Sequence, residues 1–509
     1  MLLGRSLYNV LRAGFPVDRN KAALRLFDGT EISYKQLEAR SSMLANALSD
    51  IGLQPGDRVA VQIDKSPEAL FLYLACLQGG FVYLPMNVAY QASEVAHILS
   101  DSSPTIYICR SADLSTREHI ARSADVKHVF TLDAAGGGSL SELCDVSPDD
   151  RRLTKRAGDD LAALLYTSGT TGKPKGVMLT HNNLITNAEA LLSAWEWNSQ
   201  DVLLHALPLF HTHGLFVACH CALLGGSTMI YLYSFDVDTV ISSLPRATVL
   251  MGVPTFYVRL LKHQRFDGEL CRNIRLFISG SAPLLETTFM DFFNRTGHSI
   301  LERYGMTETG MISSNPIIGD RIAGTVGLAL PNVGLRLVDD NDRLIADSGN
   351  IGKVQVRGVN VFKGYWRQPE KTSEEFTVDG YFRTGDLGEY NDSGYLRLVG
   401  RDKDLIISGG FNVYPKEVEL LLDRLDGVIE SAVVGLPHPD LGEVVTGVVV
   451  GDQTVLSEHN MLLQLKHALA GYKVPKTIVF RKDLPRNSMG KVQKNVLRDE
   501  LKGTLFNHP

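Results

Sequence analysis

The stretch from Arg58 to Met86, RVAVQIDKSPEALFLYLACLQGGFVYLPM, reads as strand, helix, strand. RVAVQI is a short apolar run rich in β-branched residues. Ser66 follows as an N-cap, Pro67 occupies the first helical turn, and Gly79 and Gly80 end the helix. FVYLPM is the next apolar run. Two strands joined by a helix of this length make a crossover unit, and crossover units build parallel sheet. Upstream, SYKQLEARSSMLANALSDIG predicts a helix stopped by Gly52, and the alternation of helix and strand runs from Ile32 to Leu161. The fold class is α/β: a large, multi-subdomain N-terminal body of mixed and parallel sheets flanked by helices.

Between Gly380 and Gly410 the pattern shifts to short strands and turns. Residues 412–509 predict a small α+β unit, with a helix over 415–425, strands over 430–435 and 444–450, a helix over 458–470 and a strand over 477–481. The domain boundary is placed near Lys403, dividing the chain into 1–402 and 403–509. Length agrees with that division, because 509 residues exceed the roughly 250–300 that one core sustains.

Composition excludes several classes. With 44% hydrophobic and 21% charged residues the chain is neither disordered nor fibrous. A formal charge of −6, from 51 Lys and Arg against 57 Asp and Glu, has the wrong sign for a nucleic-acid coat. The total hides an uneven distribution: Tyr472 to Lys502 holds nine Lys or Arg against three acids, a basic edge suited to a polyanionic ligand. Six cysteines are too sparse for a disulfide framework, which predicts a reducing compartment. No window has the ~18 uninterrupted apolar residues of a membrane span. The nearest, Leu203 to Leu224, contains His205, Pro208, His211, His213 and His220, and reads as a buried segment or pocket wall. Cys219-His220-Cys221 lacks a second ligand pair at zinc-finger spacing and reads as core. The N-terminus, MLLGRSLYNVLRAGF, has the spacing of a first amphipathic helix packed on the body; a mitochondrial presequence is the alternative.

The most informative segment chemically is Thr167-Ser168-Gly169-Thr170-Thr171-Gly172-Lys173-Pro174-Lys175-Gly176, directly after the apolar run LAALLY. Glycines admit backbone N–H groups to phosphate oxygens, hydroxyls add short donors, and Lys173 and Lys175 neutralise charge. The spacing is not that of a Walker A loop, because Gly172-Lys173 is followed by Pro174.

This loop resembles the phosphate-binding signature of the adenylate-forming superfamily, which comprises acyl-CoA synthetases, luciferases and peptide-synthetase adenylation domains. Further segments resemble the family's motifs in order: Tyr304-Gly-Met-Thr-Glu308, Tyr381-Phe-Arg-Thr-Gly-Asp386, Gly400-Arg-Asp-Lys-Asp404, Gly409-Gly410 and Gly490-Lys491. The resemblance implies ATP, Mg²⁺ and coenzyme A as reactants and cofactor. It implies Glu308 as the Mg²⁺ ligand, Thr307 and Thr167 as phosphate contacts, and Asp386 and Arg401 at the ribose. Ser279, Gly280 and Ser281, with Glu302, Arg303 and Tyr304, resemble the segments flanking adenine and the acyl pocket, where Met306 also falls. Lys491 matches the lysine that bridges carboxylate and α-phosphate, although Ser488-Met489 departs from the usual residues before it. Lys403 matches the hinge, and Gly409 and Gly410 the pantetheine tunnel. His211 is read either as a pocket residue or as a gate of that tunnel.

The acid is the open question. A dicarboxylate needs a buried cation for its distal charge, and Arg275, His205, His211 and His213 are the candidates by position. HALPLFHTHGLFVA, RLFISGSAPLL and DLPRNSMGKVQKNVL resemble the malonate-activating branch of the family, which implies malonate, with methylmalonate tolerated. Other short-chain or aryl acids, transfer to a carrier protein, and adenylate binding without ligation stay as alternatives. The expected partners are small molecules, with no nucleic acid or membrane. The expected state is a monomer or weak homodimer in the cytoplasm, or alternatively the mitochondrial matrix.

Overall fold

Ser66 and Ser33 begin helices as their types predict. Ser66 Oγ accepts from Ala69 N at 3.1 Å ahead of the helix Pro67–Gly79, which Gly80 ends at a φ of +73°. Ser33 and Gln36 cap the helix Tyr34–Asp50 reciprocally. The computed structural model describes residues 5–150, 153–167, 174–439, 441–487 and 490–502. Within these, no helix is long and apolar enough to cross a membrane.

The α/β architecture expected from the alternation is the one observed. Arg58–Gln62 pairs in parallel with Val82–Pro85 and Ile106–Cys109, at the centre of a seven-stranded sheet. At one side of it Leu161–Thr167 and Lys175–Thr180 form an antiparallel hairpin. A nine-stranded sheet places Thr228–Tyr231, Val202–His205, Val249–Gly252, Leu276–Ser279 and Leu301–Met306 side by side, all parallel. An antiparallel five-stranded sheet from Gly334 to Arg401 adjoins them.

The helix Leu7–Ala13 packs on the body with Leu7, Tyr8, Val10 and Leu11 buried. Gly14 is required behind it, because a Cβ there would lie 2.0 Å from the Leu224 carbonyl oxygen. Leu203 to Leu224 is a buried wall: a strand, the π-helical segment His213–Cys219 and the helix His220–Leu224. His220 is fully buried with its Nε2 2.7 Å from the Tyr73 hydroxyl.

Residues from Ile406 onward form separate apolar cores, one around Val413, Val418, Val433 and Val449, the other around Val434, Val448, Leu497 and Leu501. The elements follow the expected order: Pro415–Leu422, Val428–His438, Gly442–Gly451, Glu458–Ala468 and Thr477–Arg481. The two central strands run longer than their apolar patterns because they pair with each other almost throughout.

The basic edge is less basic than its composition. Lys473 pairs with Glu417 at 2.7 Å, Lys494 with Glu419 at 2.6 Å and Arg498 with Asp404 at 2.6 Å. Arg481, Arg486 and Lys502 pair with Glu500, Glu430 and Asp499. Six of the nine cations thus have carboxylate partners. Most of these carboxylates lie elsewhere in the sequence, so a local count missed them.

Candidate functional site

Ligands of open α/β sheets bind beyond the carboxyl ends of parallel strands, and the candidate residues gather there. Ser279, last in its strand, pairs with Gly252 on one side and Glu302 on the other. Gly280 and Ser281 continue from it. Ser281 holds a φ of +71°, a left-handed conformation uncommon for serine and of the kind that clusters at functional sites.

Asp386 ties two sheets together at one flank. Its carboxylate receives the Tyr304 hydroxyl and stands 2.6 Å from Arg401 Nε, across adjacent strands. Burial, then the Asp386 charge, pushes the Tyr304 hydroxyl far above its ordinary range. Glu302, buried two residues before Tyr304 on the same strand, accepts from Gly324 N at 3.3 Å, and burial pushes its carboxyl up to about 8.

Glu308 lies in the turn after Thr307, its main chain held by Phe362 N at 2.7 Å. The Tyr365 hydroxyl donates to its carboxylate at 3.2 Å, and burial raises its pKa. Lys175, also buried, has its ammonium 5.2 Å from the Tyr365 ring centre and pairs through its backbone with Thr167. Thr167 and Lys175 are therefore the two stems of the predicted phosphate loop. Ser168, Gly169, Thr170, Thr171, Gly172 and Lys173 lie outside the described residues, as do Ser488 and Met489.

Lys491 enters from the small unit. Its turn is fixed by Asn487, whose Oδ1 accepts from Lys491 N at 3.0 Å, and by Gly490 at a φ of +75°. The ammonium is within electrostatic reach of Arg401, Asp386, Arg303 and Glu308. The residue remains solvent-exposed, while desolvation by surrounding protein and then the Arg401 charge lower its pKa. His211 faces it, and burial followed by the lysine's charge pulls the imidazole down to about 3.

The opposite flank holds polar groups without partners. Arg303 is 3% exposed, yet its Nε and Nη2 have no hydrogen-bond partner among the described residues, and burial brings its pKa down to about 10. Thr212 Oγ1, His213 Nε2 and Ser279 Oγ are orphaned likewise. Arg303 packs on Gly280, where a Cβ would stand 2.4 Å from the guanidinium carbon. It also acts on the His213 charge, and His213 Nδ1 is 3.3 Å from Ser281 Oγ. Arg303, grouped with the nucleotide residues by resemblance, thus lies among the acyl-pocket candidates. Met306 is half-buried at the end of the same strand.

Arg275 does not belong to this cluster. Its Nε and Nη2 hold Asp201 at 2.7 and 2.6 Å, and Nη1 donates to the Trp195 carbonyl at 3.1 Å. It precedes the strand whose far end is Ser279, and four residues of strand span about 13 Å. The sequence reading placed Arg275 near the pocket from its proximity to FISGSAPL, but strand direction carries it to the other edge of the sheet. Gly409 and Gly410, at φ of +58° and +82°, turn a hairpin on the small unit, and no described contact brings them to Lys491. Tyr365 and Thr212 were not anticipated; neither type has a spacing signature that announces a partner distant in sequence.

Lys403 sits in the turn Asp402–Asp404. Asp402 reaches Lys353 of the body at 3.6 Å, and Asp404 reaches Arg498 of the last helix at 2.6 Å.

The chain matches two family models, "AMP-binding enzyme" over residues 15–366 and "AMP-binding enzyme C-terminal domain" over 417–491. It is 33% identical to a malonate–CoA ligase of Arabidopsis thaliana, over 97% of this chain and 89% of that protein. It superposes on ATP-bound MatB from Rhodopseudomonas palustris with a TM-score of 0.95 at 49% identity, covering 98% and 99% of the two chains. The apo form of MatB gives 0.85 at the same identity and coverage.

Proposed function

The chain belongs to the AMP-binding enzyme family, and from that premise we propose that it joins malonate to coenzyme A, using ATP and releasing AMP and pyrophosphate, with methylmalonate tolerated. The observation that carries the choice of acid is the set of orphaned polar groups around Arg303. A buried unpaired guanidinium is costly, and a ligand carboxylate resolves the cost by accepting two parallel hydrogen bonds. Ser279, Thr212 and His213 add donors for the same group. A monocarboxylate with an apolar tail would leave all four unsatisfied.

The chemistry follows from charge. A carboxylate resists attack by a thiolate, so it first attacks the α-phosphorus of ATP, expelling pyrophosphate and forming the malonyl-adenylate. Arg303 holds the distal carboxylate, leaving the proximal one directed at Lys491. Lys491, next to Glu308 and Asp386, draws the attacking carboxylate and the α-phosphate together. Asp386, with one face on Arg401 and Tyr304, accepts from the ribose hydroxyls, and the Tyr304 ring covers the adenine. Thr167, Thr307 and Lys175 contact the phosphates. Glu308, which receives one hydrogen bond from Tyr365, has acceptor capacity for Mg²⁺, and the ion when bound neutralises phosphate charge.

In the second half-reaction the coenzyme A thiolate displaces AMP. We assign this step to a rotation of residues 403–509 about Lys403 that withdraws Lys491 and brings Gly409 and Gly410 to the tunnel, with His211 at its gate. The flanking pairs, one anchoring Asp402 to the body and one tying Asp404 to the moving unit, suit a pivot between them. All the groups named lie on one chain, which suits a monomer or weak homodimer. Six free, buried cysteines suit the cytoplasm.

Pyrophosphate release across malonate, methylmalonate, succinate, acetate, octanoate and 4-coumarate tests the reading. Malonate should lead; a preference for octanoate or 4-coumarate removes the dicarboxylate assignment.

A further inference from the structure

Behind the acid pocket lies a buried amine that the mechanism above does not use. Lys65 is enclosed by protein, and its Nζ lies 2.7 Å from His205 Nδ1, 2.8 Å from the His205 carbonyl oxygen and 4.3 Å from the centre of the Tyr231 ring. His205 Nε2 in turn lies 2.9 Å from the Gly214 carbonyl oxygen, with Cys219 Sγ 3.3 Å away. A carbonyl accepts only, so Nε2 must carry the proton, and Nδ1 must then accept from Lys65. The reverse tautomer would set an imidazole lone pair against the Gly214 oxygen at hydrogen-bond distance.

Gly214 is the second residue of the segment that His213 opens. It is wedged from the other side as well, since a Cβ on it would meet the Pro208 carbonyl oxygen at 1.9 Å. The first turn of a π-helical stretch, a form rare enough to mark functional sites, is thus gripped between Pro208 and His205.

We propose that Lys65 is a positioning residue for the acid pocket: by fixing the tautomer of His205 it anchors Gly214, and so holds His213 beside Arg303 and Ser281. Burial lowers the Lys65 pKa to about 7. Its donor role does not depend on charge, because the neutral amine still has two hydrogens for the two His205 acceptors.

The proposal rests on the malonate reading, and the failure of that reading would show separately, as absent malonate-dependent pyrophosphate release by the unaltered enzyme. The test is a double-mutant cycle of Lys65→Met and His205→Phe. Each single variant should raise the malonate KM ~10-fold, as for a sub-ångström loosening of a reacting group, with the ATP KM unchanged. The double variant should be no worse than His205→Phe alone. Additive losses, equal losses for malonate and ATP, or an unchanged malonate KM would overturn the proposal.

A second measurement needs no variant of Lys65. In enzyme labelled with ¹⁵N-histidine, the resonance lost in His205→Phe should report a neutral imidazole protonated at Nε2. Protonation at Nδ1 would refute the mechanism whether or not Lys65→Met folds, and if another acid is the substrate the same cycle is run with that acid.

Discussion

Arg275 and Arg303 belong to the opposite ends of neighbouring parallel strands and differ in almost every respect. At the amino end, Arg275 holds both oxygens of Asp201, a carboxylate only 2% exposed, and a main-chain carbonyl. At the carboxyl end, Arg303 is the more deeply buried of the two and has two nitrogens with no partner among the described residues. Arg275 is half-buried and satisfied from within the fold; Arg303 is buried and is not. The amino end therefore contributes to stability, and the carboxyl end leaves hydrogen-bonding capacity open at a cost in stability, as the proposed role of Arg303 requires.

The contrast can be broken at several points. The largest effect is expected for Lys491→Ala, which should reduce adenylation by ~10²-fold or more while sparing thioester formation from supplied malonyl-adenylate; equal loss of both half-reactions would remove the rotation from the mechanism. Arg303→Met comes next: malonate kcat/KM should fall by on the order of 10²-fold, propionate turnover should persist, and the melting temperature should rise because an unpaired buried charge is gone. A lower melting temperature with unchanged malonate kinetics would reverse the roles assigned to the two ends.

Arg275→Met is the matching variant at the amino end. It should cost about 1–3 kcal/mol, since Asp201 loses its counter-charge while keeping Thr248 Oγ1 and Asn198 N as donors, and leave malonate kinetics unaltered in the folded enzyme; urea unfolding and steady-state assays measure the two separately. The smallest effect is on pH. Burial holds His220 near 3 and His181 near 4, against 6.5 unperturbed, so the unfolded chain binds protons that the native one refuses. Stability from these histidines is full above about pH 6.5 and is lost as pH falls toward those values, so the thermal midpoint should drop from pH 7 to 5. A midpoint that rises on acidification would contradict their burial as neutral groups.

Much of this was legible before any coordinates. Ser66, Pro67 and Gly80 mark a helix by local chemistry alone, and the motif residues Tyr304, Glu308, Asp386, Arg401 and Lys491 converge despite separations of up to nearly two hundred residues. The acid pocket was less legible. Arg275 and Arg303 each stand close to a motif, and deciding between them requires strand direction and the identity of Asp201 as a neighbour, which no periodicity supplies. Lys65 was invisible for the same reason: its partner lies 140 residues away, and a lysine two residues past a strand ordinarily points to solvent.

The ion pairs along Tyr472 to Lys502 bear on how nucleotides arrive. A cation already matched by a carboxylate within 3–4 Å presents a dipole at long range, and dipolar fields fade faster with distance than those of free charges. With six of nine cations so matched, the small unit exerts little pull on a distant polyanion. Capture of ATP and coenzyme A should then proceed at an ordinary diffusional rate that added salt scarcely slows, with charge acting at short range around Lys491 and Arg401.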